Sequence, residues 1–260
     1  MFPYVSNMTV SKVLVIDSGN TFVKWGLHNG NSWITKDKIR HSQLSTIDNV
    51  FLSLPKPDII VISHVSGEII YDQLKILTSR WSVKPCWVSA QSFQCGVKNG
   101  YTNPRQLGSD RWAALIAARK LQKEGCLVIN VGTAMTVDAL SASGHFLGGL
   151  IIPGFYAMIT GLRADTQLTN SSLGNYHDFP KSTDDAIYSG VIQSLLGAIE
   201  RMYSTFSQQN HQIGNCIMSG GGAKQLMTFL ELPVIHIDNL VLEGLVIIAD
   251  DLAKNKEYLV

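Results

Sequence analysis

Two segments of this chain repeat one pattern: an apolar strand, a polar residue at its end, a glycine-bearing turn and a second strand. The first, Val13–Gly26, reads Val-Leu-Val-Ile-Asp-Ser-Gly-Asn-Thr-Phe-Val-Lys-Trp-Gly. The second, Cys126–Asp138, reads Cys-Leu-Val-Ile-Asn-Val-Gly-Thr-Ala-Met-Thr-Val-Asp. Asp17 and Asn130 are 113 positions apart, as are Gly19 and Gly132, which is the mark of an internal duplication. The apolar, β-branched runs predict strands buried on both faces. In the turn Ser18-Gly19-Asn20-Thr21, Gly and Asn tolerate positive φ. Small side chains there let backbone N–H groups and the Thr21 hydroxyl approach an anion. Asp17, at the strand end, is a carboxylate suited to hold a hydrated Mg²⁺ against phosphate oxygens. A single hairpin of this kind also reads as an ordinary turn. A duplicated one favours two hairpins holding a polyphosphate between two lobes.

Each copy opens a similar series of elements. In the first half, strands are expected at Ser32–Ile39, Asp58–His64 and Cys86–Ser89, with helices over His41–Leu54, Gly67–Arg80 and Ser109–Glu124. The second half repeats the order. Strands are expected at Leu127–Asn130, Ala134–Leu140, Phe146–Ile152, Ile213–Ser219 and Val234–Ile237. Its helices are expected from Phe155, over Thr183–Ser204, over Ala223–Leu230 and over Asn239–Leu252. Strands alternating with helices imply a mixed α/β sheet in each half, with domains at 12–120 and 121–260. Residues 1–11 read as a loose leader.

Charge narrows the partners. With 21 basic and 20 acidic side chains the chain is near neutral, which argues against a nucleic-acid or acidic-membrane partner. No apolar run approaches the roughly 18 residues a membrane helix needs. The N-terminus lacks the layout of a secretory signal, so a cytoplasmic location is expected. Cys86, Cys95, Cys126 and Cys216 form no CxxC pair, and Cys126 and Cys216 fall at strand-like runs as reduced core residues.

The segment Tyr101–Trp112 joins the halves. Pro104 and Gly108 keep its start irregular, and Ser109 is placed to cap the following helix. Asp110 either improves that helix start through the dipole or accepts the proton of a hydroxyl attacking phosphorus. Arg111 is suited to bidentate binding of a carboxylate or phosphate. Taken alone, these readings balance. His64, at a strand end, reads more readily as a capped core residue than as a catalyst. Gly148-Gly149 and Gly220-Gly221-Gly222 fit either close approach to a ligand or plain turns. Ser182 and Thr183 are alternative N-caps, and Asp138 either helps arrange metal-bound water or ends a strand.

Taken together, the blocks resemble the type III pantothenate kinases and the related Bvg accessory factor proteins. They are Asp17–Lys24, Gly100-Tyr101 with Pro104, Gly108–Arg111, Gly132–Asp138, Gly148–Gly154 and Phe179–Ala186. The resemblance implies two ribonuclease-H-like domains of the acetate and sugar kinase/Hsp70/actin type. It also implies a homodimer that phosphorylates pantothenate with ATP in coenzyme A synthesis. By matching position, Asp17, Ser18, Gly19, Asn20, Thr21, Phe22, Val23 and Lys24 would hold the ATP phosphates, Asp17 with Mg²⁺, and Thr133 would contact ATP. Asp110 would be the general base. Tyr101, Gly108, Ser109, Asp110, Arg111 and Thr183 would hold pantothenate. The family binds a monovalent cation, K⁺ or NH₄⁺, at the position of Asn130, where its pattern has Asp. Asn offers a neutral carbonyl oxygen, so a cation there should bind weakly. The competing expectations are a catalytically weak nucleotide-binding regulator of the accessory-factor type, or a kinase for another small alcohol.

Overall fold

The computed structural model describes residues 12–164, 173–209 and 213–255; the expected leader at 1–11 lies outside them. In chain order the strands and helices of the first half are β1 (Val13–Ser18), β2 (Phe22–His28), β3 (Trp33–Arg40), α1 (Ile47–Ser53), β4 (Ile59–His64), α2 (Glu68–Thr78), β5 (Cys86–Trp87), the short β6 (Phe93–Gln94) and β7 (Val97–Lys98), and α3 (Ser109–Leu121). The rest are β8 (Cys126–Val131), β9 (Ala134–Leu140), β10 (Phe146–Pro153), α4 (Phe155–Ala164), α5 (Thr183–Gln208), β11 (Cys216–Ser219), α6 (Ala223–Met227), β12 (Val234–His236) and α7 (Leu240–Lys254).

The duplication is visible in the sheets. One has the order β3-β2-β1-β4-β5 and the other β10-β9-β8-β11-β12. In both, the first three strands pair antiparallel and the next two join in parallel. All six residues of β1 are buried, as a central strand covered on both faces requires. The copies differ in their turns. The last pair of the first hairpin is Ser18 with Val23, and that of the second is Val131 with Met135, so the second turn is one residue shorter. In each, the glycine N–H closes the loop: Gly19 N donates to Phe22 O at 3.1 Å and Gly132 N to Ala134 O at 3.0 Å.

The chain divides into two compact units: the described parts of Met1–Lys123 with Asn239–Val260, and Glu124–Asp238. Chain order alone puts the closing helix in a second domain running from 121. The structure puts it in the first unit, because α7 packs on α3, β1 and β4. A Cβ on Gly244 would overlap the Ala113 carbonyl oxygen, so glycine permits that close helix contact. In the first unit Leu14, Ile16, Ile60 and Ile62 share a core with Phe51 of α1, Leu74 of α2 and Trp81 just beyond it. The alternate residues of β1 and β4 point to the other side, where α3 is buried through Trp112–Ala118. In the second unit Leu127, Ile129, Met135 and Val137 pack with Ile159, Leu195 and Ile199.

The expected helix at His41–Leu54 begins as a 3₁₀ turn, His41–Thr46, before α1. Ser, Gln and Thr there favour local bonds over a helical ladder, as when Thr46 Oγ1 donates to Gln43 O at 2.9 Å. The strand expected from Ile213 starts at Cys216, since Gly214 turns away to donate to Gly125 O at 2.8 Å. None of the four cysteines forms a disulfide. Among the described residues, no helix is long and apolar enough to cross a membrane.

Candidate active site

In the first unit the site grows from the end of β1, where the apolar run gives way to Asp17. This carboxylate is 6% exposed, and its Oδ1 has no hydrogen-bond partner. Burial pushes its pKa up to about 7; the Lys24 ammonium pulls it down and the Asp110 carboxylate pushes it further up. A buried carboxylate with an orphaned oxygen beside a second acid suits a cation. The described residues contain no cluster of three or more His, Cys, Asp or Glu arranged for a metal. A divalent ion here would therefore complete its shell with phosphate oxygens and water.

Lys24 faces Asp17 across the hairpin and Lys38 on β3. Phe22 lies under two cations, with the Arg40 guanidinium 4.9 Å and the Lys38 ammonium 5.5 Å from its ring centre. Thr21 O accepts from His41 N at 3.3 Å, so the turn is tied to the chain that follows β3. Lys38 and Arg40 were not among the expected site residues. Their signal was the period-2 alternation of β3, which sets both on the face of Phe22.

Asp110 sits in the first turn of α3 and accepts from Arg111 N at 2.8 Å. A Cβ on Gly108 would lie 2.6 Å from its Oδ1, so glycine leaves room for the carboxylate to fold back over the helix start. Gly108 is the N-cap. Ser109, expected as the cap, instead shares a 3.0 Å hydrogen bond with the Ser63 hydroxyl and accepts from His64 N at 3.1 Å. Arg111 is 6% exposed; its Nη1 donates to the Tyr101 hydroxyl at 3.0 Å, and its guanidinium stands 5.7 Å from that ring. Asn99 and Asn103 shape the loop, the first accepting from Tyr101 N at 3.0 Å and the second from Arg105 N at 3.2 Å.

The second unit gathers its own set. Asn130 is half-buried at the end of β8, opposite Thr136 and Ser219. Thr133 is exposed on the turn, and its carbonyl accepts from Gly154 N at 2.9 Å. A Cβ on Gly154 would overlap Gly132 O. Gly222 N donates to Val131 O at 3.1 Å, and Gly220, with φ of +100°, lies where a Cβ would overlap that same carbonyl. The glycine-rich turn thus closes on the β8 turn. Ser182, not Thr183, caps α5, its hydroxyl accepting from Asp185 N at 3.2 Å; Thr183 is exposed beside Met158 and Ile187. Asp138 does not end a strand: it is buried in mid-β9 opposite Val128 and Gly149. Gly148 occupies a β-bulge with φ of +135°.

The chain is similar to known proteins over most of its length. A family model for type III pantothenate kinase matches residues 13–205. The type III pantothenate kinase of Nitrosospira multiformis is 46% identical over 237 residues, which cover 91% of this chain and 90% of that protein. The chain belongs to the type III pantothenate kinase family. Among solved structures, a putative Baf family transcriptional activator from Campylobacter jejuni is similar at a TM-score of 0.57 and 18% identity, over 94% of this chain and 99% of that one. MreB5 of Spiroplasma citri bound to ADP is similar at a TM-score of 0.51 and 13% identity, over 96% and 99%. At such identities the likeness speaks for fold. That fold is the two-sheet arrangement of the acetate and sugar kinase/Hsp70/actin type.

For a type III pantothenate kinase the expected residues fall into two sets. Asp17–Lys24, Tyr101 and Gly108–Arg111 lie in the first unit, where the Asp110 carboxylate adds to the upward push on Asp17. Asn130, Thr133 and Thr183 lie in the second.

Proposed function

We propose that this chain transfers the γ-phosphoryl group of ATP to the primary hydroxyl of pantothenate, forming 4'-phosphopantothenate in coenzyme A synthesis. The observation that carries the reading is Asp110 beside buried Asp17, next to the Arg111–Tyr101 pair, in a chain of this family. The backbone of Ser18, Gly19, Asn20 and Thr21, followed by Phe22, Val23 and Lys24, holds the phosphates, and Thr133 contacts the nucleotide. Asp17 would hold Mg²⁺, which would supply charge neutralisation for the phosphate oxygens. Asp110 accepts the hydroxyl proton. Arg111, held by the Tyr101 hydroxyl, binds the pantothenate carboxylate, with Gly108, Ser109 and Thr183 lining the substrate. Asn130 brings no charge, so K⁺ or NH₄⁺ is at most weakly held there.

The chain works in the cytoplasm as a homodimer. Association would cover large apolar residues that are exposed in the second unit, Ile151 at 63%, Tyr156 at 71% and Phe179 at 87%. ADP release coupled to added pantothenate, run with and without K⁺, tests the reaction. Asp110→Asn should cut turnover by about 10²–10⁴-fold. Near-unchanged turnover would defeat the base, and turnover with a different alcohol alone would defeat the substrate.

A further inference from the structure

His64 closes β4 beside the hairpin and has no part in the phosphoryl transfer described above. Its Nδ1 lies 3.2 Å from the Ser18 hydroxyl and 3.2 Å from the Ser66 hydroxyl, and those two hydroxyls are 2.6 Å apart. Ser18 is fully buried, so its hydroxyl is committed to this triangle. The same residue's backbone reaches the other side of the site: His64 N donates to Ser109 Oγ at 3.1 Å, and Ser109 Oγ bonds back to His64 O at 3.4 Å. One neighbour further on, Val65 N donates to Ser18 O at 3.0 Å.

The imidazole is fixed from behind. Its centroid is 5.6 Å from Tyr71 and 5.9 Å from Trp87, edge to face in both cases, and those two rings are 4.3 Å apart. Burial lowers its pKa and the neighbouring His41 lowers it further, while a bond involving the Ser66 backbone raises it. A neutral ring leaves one nitrogen able to accept from a hydroxyl.

We propose that His64 is a positioning residue that holds the phosphate hairpin and the Asp110 helix start at a fixed separation. The inference rests on the roles given above to the hairpin and to Asp110. A catalytic geometry is tolerant to only fractions of an ångström, since a displacement of about 1 Å can cost 10²-fold in rate. His64 bonds to both segments, to Ser18 through its ring and to Ser109 through its backbone: Ser18 is next to Asp17 and Ser109 next to Asp110.

Two substitutions separate the nitrogen from the ring. His64→Asn places an amide oxygen, an acceptor like the Nδ1 lone pair, near the Nδ1 position without the ring, and His64→Phe fills the aromatic slot without the nitrogen. Steady-state kcat and KM for ATP and pantothenate, with melting temperatures, are compared for both and for Asp110→Asn. We expect His64→Asn to stay within about threefold of wild type in kcat/KM. We expect His64→Phe to lose roughly 10- to 100-fold, mostly in kcat, while melting as high as or higher than His64→Asn. Equal activity of the Phe and wild-type proteins, or losses that follow melting temperature in both variants, would overturn the inference, as would failure of both to fold. Full activity of Asp110→Asn would instead overturn the catalytic reading beneath it, so the two failures are told apart.

Discussion

Glu243 in the first turn of α7 makes a direct test of how burial governs this protein. The residue is 5% exposed. Its Oε1 accepts from Trp33 Nε1 at 3.0 Å, and the Lys36 ammonium stands 4.0 Å away. Burial pushes its pKa up to about 8. His28, whose ring meets Trp33 edge to face at 5.0 Å, is pushed down to about 4 by burial and by Lys36, so it offers no compensating charge at neutral pH. The folded chain therefore keeps a proton on Glu243 that the unfolded chain, with an ordinary value near 4.5, gives up. Stability from this group is complete below about pH 4.5 and is lost as pH rises towards 8. At 1.36 kcal/mol per pKa unit, the loss between pH 5 and 8 is about 3 kcal/mol. Glu243→Gln keeps the shape and the acceptor for Trp33 and does not titrate. Urea unfolding at pH 5, 6, 7 and 8, followed by tryptophan fluorescence, should show the variant gaining on wild type by up to about 3 kcal/mol at pH 8 and by little at pH 5. Other titrating groups are common to both proteins, so the difference isolates this carboxyl. Parallel pH profiles, or a variant less stable at pH 8, would refute the reasoning.

Three further outcomes are expected. Because Asp17 titrates near pH 7 and its ionised form suits a cation, kcat/KM should rise with pH to about 7 and level off. Raised Mg²⁺ should move that limb to lower pH, and Asp17→Asn should remove it; a limb indifferent to Mg²⁺ would argue against metal at Asp17. Gly154→Ala should push the Gly132–Thr133 turn off its place, destabilising the protein by about 1–3 kcal/mol and raising KM for ATP more than KM for pantothenate. Asn130→Asp should introduce or enlarge a rate response to K⁺, measured as turnover in KCl against a large organic cation; no change would detach Asn130 from cation binding.

Much of the fold was legible because β1 and β8 carry unbroken apolar runs, which few structures other than central strands can bury. The 113-residue offset announced two related sheets, and the topology bears that out. What the sequence hid was tertiary. No local pattern said that α7 returns to the first unit, since its attachment is a close approach of Gly244 to Ala113. The role of Ser109 was equally hidden: as a cap it would bond its own helix, and only the placement of β4 offers it Ser63 and His64. Lengths failed where the local chemistry is ambiguous, as at His41–Thr46, where hydroxyl and amide side chains compete with the helical ladder. Asp110 and Arg111 could be named from spacing with the family blocks, but the influence of Asp110 on Asp17 needed coordinates.

The return of α7 also orders events during synthesis. Residues 124–238 are contiguous and can assemble as soon as they leave the ribosome, whereas the earlier-made unit waits for a helix that comes after them. Until Leu240–Lys254 arrive, α3 has no partner for the face at Ala113. Birth order and completion order are thus reversed, and the half carrying Asp17 and Asp110 matures last.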